Sequence, residues 1–181
     1  MIRLLSVSLV LLMGVPFAAA ERFVVEKSHS FVGVEVHASP PHHFTVEVTD
    51  YEAEIEVEDQ EPRSARFDFH FADLKSGNGR RDRKMQHWME TDTYPDGRFE
   101  LERVENSPEG GLRGIGLLYM HGVSQPVVVD FAWEERAGEL HFVGESQINY
   151  SGWNLGTISL LFFKVSPELH VRFDLAGRIV Q

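Results

Sequence analysis

From Tyr51 to Glu58 the chain alternates without interruption: Tyr51, Ala53, Ile55 and Val57 on one parity, Glu52, Glu54, Glu56 and Glu58 on the other. Successive side chains of a strand point to opposite faces, so a period of two predicts a strand with one dry and one wet side. The stretch 65–71 repeats the logic, with Phe67, Phe69 and Phe71 inward and Arg66, Asp68 and His70 outward. Weaker forms of the pattern predict strands at 23–26, 31–38, 44–49, 99–104, 112–120, 127–133, 140–148, 158–165 and 169–179. Turn-forming residues separate them: Pro40-Pro41, Glu61-Pro62, Ser107-Pro108-Glu109-Gly110-Gly111, Ala137-Gly138 and Ser166-Pro167. Only Asp82 to Met89 predicts a helix, a short one with Asp82 as cap or first-turn acid, before Tyr94-Pro95 returns the chain to extended form. Many strands at short intervals with one helix predict an all-β chain, an antiparallel sandwich or barrel.

The first twenty residues stand apart from this pattern. Met1-Ile2-Arg3 is a positive start, the stretch from Leu4 to Phe17 is mostly apolar, and Ala18-Ala19-Ala20 has the small side chains that signal peptidase cuts. The expected organisation is a signal peptide over 1–20 and a single domain over 21–181, with Glu21 as the mature N-terminus. The apolar run is broken by Ser6, Ser8, Gly14 and Pro16 and is too short for a comfortable membrane span. The chain has no cysteine, which excludes disulfides and the acylated cysteine of exported lipoproteins. In a Gram-negative source these features predict a soluble periplasmic protein without stable membrane insertion.

Charge narrows the partners. The formal net charge is −11, and loss of residues 1–20 removes Arg3 and no acid, leaving 16 basic against 28 acidic groups. A phosphate polyanion would be repelled at long range, so nucleic acid is excluded as a partner. About 160 residues is the size of one domain with one substantial core, and no repeat or linker divides the chain.

Against that background Gly77 to Phe99 raises a question, because Arg80, Arg81, Arg83 and Lys84 crowd around Asp82. Either they close a loop and start the helix, or one or two of them meet an anionic group. Four strand glycines, Gly33, Gly114, Gly116 and Gly144, mark bulges or bends more often than ligand approaches, yet beside inward phenylalanines they suit an apolar tunnel. Nine histidines form no convergent set: His42 and His43 are adjacent and must face opposite ways, His70 is on the wet parity, and His121 belongs to a turn. Ser28-His29-Ser30 and His121-Gly122-Val123-Ser124 lack a strained nucleophile elbow. The expectation is therefore no metal site, no catalytic residue and no enzyme. The unalternating run Ile158-Ser159-Leu160-Leu161-Phe162-Phe163 reads as a strand covered on both sides in preference to an exposed docking surface.

Three motifs then carry a resemblance. Lys27-Ser28-His29-Ser30 precedes the strand from Phe31; Gly79-Arg80-Arg81-Asp82 is followed by Thr93-Tyr94-Pro95; and the run from Gly114 to Val127 contains His121-Gly122-Val123 and a Pro126-led continuation. In this order and spacing the mature chain resembles the YceI-like family of exported polyisoprenoid-binding proteins. The resemblance implies a lipocalin-like antiparallel barrel whose tunnel holds an isoprenoid lipid or quinone as ligand, with no cofactor, and a carrier in place of a catalyst. The packed, ligand-free barrel of a stress-related structural protein is the alternative, and a homodimer stays open. Two stretches depart from the family's usual pattern, Thr49-Asp50-Tyr51 and Asn149 to Gly156.

With inward parity assigned, the residues expected to line such a tunnel are Phe44, Val46, Phe67, Phe69, Phe71, Leu118, Met120, Phe131, Trp133 and Phe142. Arg80, Arg81 and Lys84 are expected at its mouth beside a head group, since guanidinium suits phosphate. A strand of about nine residues at ~3.4 Å each, tilted ~40°, gives a wall on the order of 23 Å high. Burial of hydrocarbon contributes about 0.8 kcal/mol per methylene, so the tail would supply affinity and the head orientation.

Overall fold

The computed structural model describes residues 21–39, 41–58, 61–108, 110–160 and 163–181. The predicted signal peptide over 1–20, and Pro40, Glu109, Leu161 and Phe162 of the segments named above, lie outside the described residues. Thirteen strands and one α-helix make up the described chain: β1 (Glu21–Val25), β2 (Phe31–Ser39), β3 (His42–Val48), β4 (Tyr51–Glu58), β5 (Glu61–His70), β6 (Leu74–Lys75), α1 (Gly79–Trp88), β7 (Asp96–Asn106), β8 (Leu112–Met120), β9 (Val123–Arg136), β10 (Glu139–Asn149), β11 (Ser159–Leu160), β12 (Phe163–Val165) and β13 (Glu168–Val180).

Eight of them close an antiparallel barrel in the order β1-β4-β5-β7-β8-β9-β10-β13, and β13 pairs back onto β1 with Phe23 opposite Ile179. Closure leaves the sheet without a free edge around most of its circumference. Above β1 the wall continues in other segments. A 3-10 turn at Lys27–His29 passes the chain from β1 to β2, which takes over beside β13 with Gly33 opposite Arg172; β3 pairs with β2 and β6 with β3. The β8–β9 hairpin turns on His121 and Gly122, both at positive φ (50° and 73°), the two-residue turn whose twist matches that of its strands.

The parity read from the sequence holds. Ile55 and Val57 are buried while Glu52, Glu54, Glu56 and Glu58 are exposed. Phe71, at the end of the second pattern, is 1 % exposed, although it belongs to a 3-10 turn and not to the strand. Glu61-Pro62 does not form a turn: both residues open β5, Pro62 is fully buried opposite Val57, and a strand's first residues tolerate the missing N–H. The helix begins three residues earlier than predicted and its cap is Asn78, whose side chain accepts from the N–H groups of Arg80 and Arg81. Asp82 is the first-turn acid, and it does something else: its Oδ1 accepts from Ser76 N (2.9 Å) and Ser76 Oγ (2.5 Å), pinning the incoming loop to the helix.

At two strand glycines the missing side chain makes room for a ring, while Gly116 sits opposite Leu101 beside a register shift in β7. Gly97, opposite Phe69, leaves so little room that a Cβ would lie 2.2 Å from that ring, and at Gly144, opposite both Phe131 and Phe173, it would lie 2.5 Å from Phe173. A missing side chain on one strand lets an inward ring on the next lie along the wall.

Candidate ligand cavity

The barrel is not packed solid. It holds a cavity of about 270 Å³ whose lining is apolar almost throughout, built chiefly from the inward parity of eleven strands, every one but β1 and β11, and from one face of α1. Phe44, Val46, Phe67, Phe69, Phe71, Leu118, Met120, Phe131 and Phe142 all line it. Phe67, Phe69 and Phe71 form a chain of touching rings up one wall, at 5.9 Å and 5.4 Å between centroids, with Tyr51 stacked on Phe67 at 4.7 Å.

Trp133, expected in this lining, is outside it. It sits one layer further down, between Phe142 (4.8 Å) and Phe23 (5.2 Å), and helps to seal that end of the barrel. Inward parity alone cannot tell a lining residue from one that closes the end, because both point to the axis. With Phe131 and Phe173 also against Phe142, the far end is closed by aromatic rings.

The opposite end is covered by α1 and by the segment after β10. Arg81, Lys84, Met85 and Trp88 recur at helical spacing on one face and line the cavity. Trp88 anchors the cover: its Nε1 donates to Gly156 O (2.7 Å) and its ring meets Tyr150 edge-on at 5.1 Å. Tyr150, Trp153 and Leu155 are buried, Trp153 Nε1 donates to Leu118 O (2.9 Å), and Gln125 Nε2 donates to Gly152 O (2.8 Å). The stretch from Asn149 to Gly156, where the sequence departs from the resemblance, is thus the abutment on which the helix rests. Met85, Trp88, Met89, Tyr150 and Leu155 line the cavity and were not anticipated, though Met85, Trp88 and Met89 fall at i, i+3 and i+4. Ile158 lines it too, while the rest of its unalternating run is only partly among the described residues.

The basic cluster divides by the same helical geometry. Arg81 lies on the inner face with its guanidinium carbon 3.8 Å from the centre of the Phe44 ring, a close cation–π contact, and Lys84 follows one turn on. Arg80 does not line the cavity and is exposed, because one residue's rotation of ~100° turns it off that face. Burial pushes the Asp82 carboxyl up, but the Ser76 hydrogen bonds and the charges of Lys75 and Arg81 outweigh it and hold the group below its ordinary 3.8.

The histidines sit mostly on the outside. His70 pairs with Asp96 (2.5 Å) on the outer face, which raises its pKa, and His121 holds the β8–β9 turn through Trp153 O (3.1 Å). Among the described residues no three His, Asp or Glu side chains converge as a metal would need, and no helix is long and apolar enough to cross a membrane.

Comparison with known proteins agrees with this architecture. The YceI-like domain matches residues 23–176. The fold is similar to that of BcnA from Burkholderia cenocepacia (TM-score 0.74, 19 % identity, 86 % of this chain and 100 % of that one). It is also similar to a polyisoprenoid binding domain from Saccharophagus degradans (0.64, 12 %, 89 % and 99 %) and to the YCEI protein of Campylobacter jejuni (0.59, 17 %, 74 % and 83 %). No curated protein matches the chain. A closed eight-stranded barrel with a capped apolar interior, matched over nearly all of its described length, makes this chain a member of the YceI-like family.

Proposed function

We propose that the chain binds a long isoprenoid lipid, a polyprenyl phosphate or a prenyl quinone, inside the barrel, and carries or sequesters it in the periplasm without acting on it chemically. The observation that carries the reading is the cavity itself: an apolar interior bounded by rings at one end and by Arg81 and Lys84 at the other. An empty apolar cavity of this size forfeits contact energy that a packed core would keep, so a fold that maintains one gains most when hydrocarbon fills it. The description of the Saccharophagus degradans neighbour as a polyisoprenoid binding domain supports the same ligand class. Arg81 and Lys84 favour an anionic head over a neutral one.

Mass spectrometry of an organic extract, taken from protein purified without detergent, tests this directly. An isoprenoid in stoichiometric amount is the expected result. Protein that is empty as isolated and also takes up neither polyprenyl phosphate nor quinone would remove the reading.

A further inference from the structure

The barrel wall is incomplete on one side. β5 and β7 pair from Arg66–Glu100 to His70–Asp96 and no further, although β5 starts at Glu61 and β7 runs to Asn106. The next partners in register, Ala65 and Leu101, form no pair. Each strand stays bonded to its other neighbour, β5 to β4 and β7 to β8, so the two diverge from each other without fraying. The cause is local: both carry a bulge at the same level. Arg63 is the extra residue of β5, between Ser64 opposite Glu56 and Pro62 opposite Val57; Glu102 is the extra residue of β7, between Leu101 opposite Gly116 and Arg103 opposite Ile115. A bulge bends its strand and sharpens the twist, and Pro62 brings no N–H to restore a ladder.

At this gap the cavity and an outer groove share their boundary. Ala53, Ile55, Ala65, Arg66 and Leu101 line both spaces. Leu101 is half-buried, and Val24, 43 % exposed, extends apolar surface along the groove. The groove's charged border is Glu54, Glu56 and Glu100 against Arg22, Lys27 and Arg66, so its charges balance. With its charges balanced the groove exerts no net pull on an anionic head group, whereas a neutral hydrocarbon meets Ala65, Leu101 and Val24.

We infer that this gap between β5 and β7 is a side portal through which the distal end of a long isoprenoid chain leaves the barrel, its head group remaining at the α1 end. The inference rests on the isoprenoid reading above and adds to it a physical basis for accepting chains longer than the interior. The aromatic floor of Phe23, Trp133 and Phe142 offers no axial exit, so a chain entering beside Arg81 either ends inside or passes the gap.

The test uses the absence of native cysteine. An Ala65→Cys/Leu101→Cys double variant places thiols at the first unformed pair, within reach of a disulfide if the strands are drawn together. Affinities for farnesyl phosphate and undecaprenyl phosphate are measured in the oxidised and reduced forms, with intact mass confirming the cross-link. Oxidation is expected to lower the long-to-short affinity ratio at least tenfold, and reduction to restore it. An unchanged ratio in cross-linked protein would overturn the portal. Ala65→Trp, which fills the gap without a cross-link, is expected to lower the same ratio relative to wild type, and an unchanged ratio there counts equally against the portal. Wild type that binds neither phosphate would instead sink the isoprenoid reading itself, and the portal with it.

Discussion

The two ends of the barrel are closed by different physics. At one end Phe23, Trp133, Phe142 and Phe131 interlock from three strands, and every group involved is apolar apart from the Trp133 indole N–H. At the other, α1 is laid across the opening with Met85, Trp88 and Met89 against the interior and one hydrogen bond from Trp88 to Gly156, while Asn78 and the Asp82–Ser76 pair fix its own N-terminal end. Ring packing is non-directional and strong in sum, so it seals. A single helix resting on three apolar side chains and one tertiary hydrogen bond, the latter worth about 0.5–1.5 kcal/mol, can open locally at lower cost than a barrel strand bonded along both edges. The contrast assigns stability to the aromatic end and ligand exchange to the helical end.

The sharpest way to break that comparison is to weaken both ends and ask which one unfolds the protein. Phe142→Ala, in the middle of the aromatic end, is expected to cost about 3–5 kcal/mol of global stability, read as a lower urea midpoint with unchanged slope. A cost no larger than that of the helix-end variants would mean that the rings do not carry the fold.

Asp82→Ala comes next, at about 1.5–3 kcal/mol, since it leaves Ser76 N–H and Oγ without their charged acceptor. Its effect is also pH-dependent. A carboxyl held below 3.8 stabilises the folded state above that pH, and the contribution is lost as pH falls through the lower folded-state value. The stability gap between wild type and Asp82→Ala is therefore expected to be full at neutral pH and to shrink at pH values well below 3.8. Hydrogen exchange is expected to rise in α1 ahead of the barrel strands; uniform acceleration across the chain would contradict a separable cover.

Asp68→Asn is milder. Asp68 lies on the outer face, accepting from Arg66 Nε and Arg98 Nε at 2.6 Å each, and its side chain is 29 % exposed. Loss of such a pair typically costs about 1 kcal/mol or less, and a melting temperature close to wild type is expected. A large drop would show that the outer charge ladder, and not the interior, governs stability.

A small change in stability is expected for Arg81→Glu/Lys84→Glu, which removes the cation–π contact of Arg81 with Phe44 and reverses two charges on a partly exposed face. Its signature is selectivity. Affinity for a polyprenyl phosphate should fall more than affinity for a neutral quinone with the same tail, and the difference should narrow as salt rises. Arg80→Glu, off the lining face, should discriminate far less. Equal losses for both ligands in the Arg81/Lys84 variant would leave the cations a merely structural part of the helix.

Periodicity determined much of this molecule. The alternation in 51–58 and 65–71 specified which side chains face the axis, and nine of the ten predicted lining residues do line the cavity, because a period-two pattern admits only one buried face. The helix and its neighbourhood were also marked, by a polar cap ahead of Met85, Trp88 and Met89. What parity could not express was height along the axis. Phe131 and Trp133 point the same way two residues apart on β9, yet Phe131 lines the cavity and Trp133 lies beyond it against Phe23; only the closure of eight strands, with β1 brought against β13, sets their levels. Arg80 and Arg81 are chemically equivalent in sequence, and the angle at which α1 lies across the opening separates them. The gap at Ala65 and Leu101 depends on two bulges in strands far apart in the chain reaching the same height, a coincidence of tertiary register that no local pattern encodes.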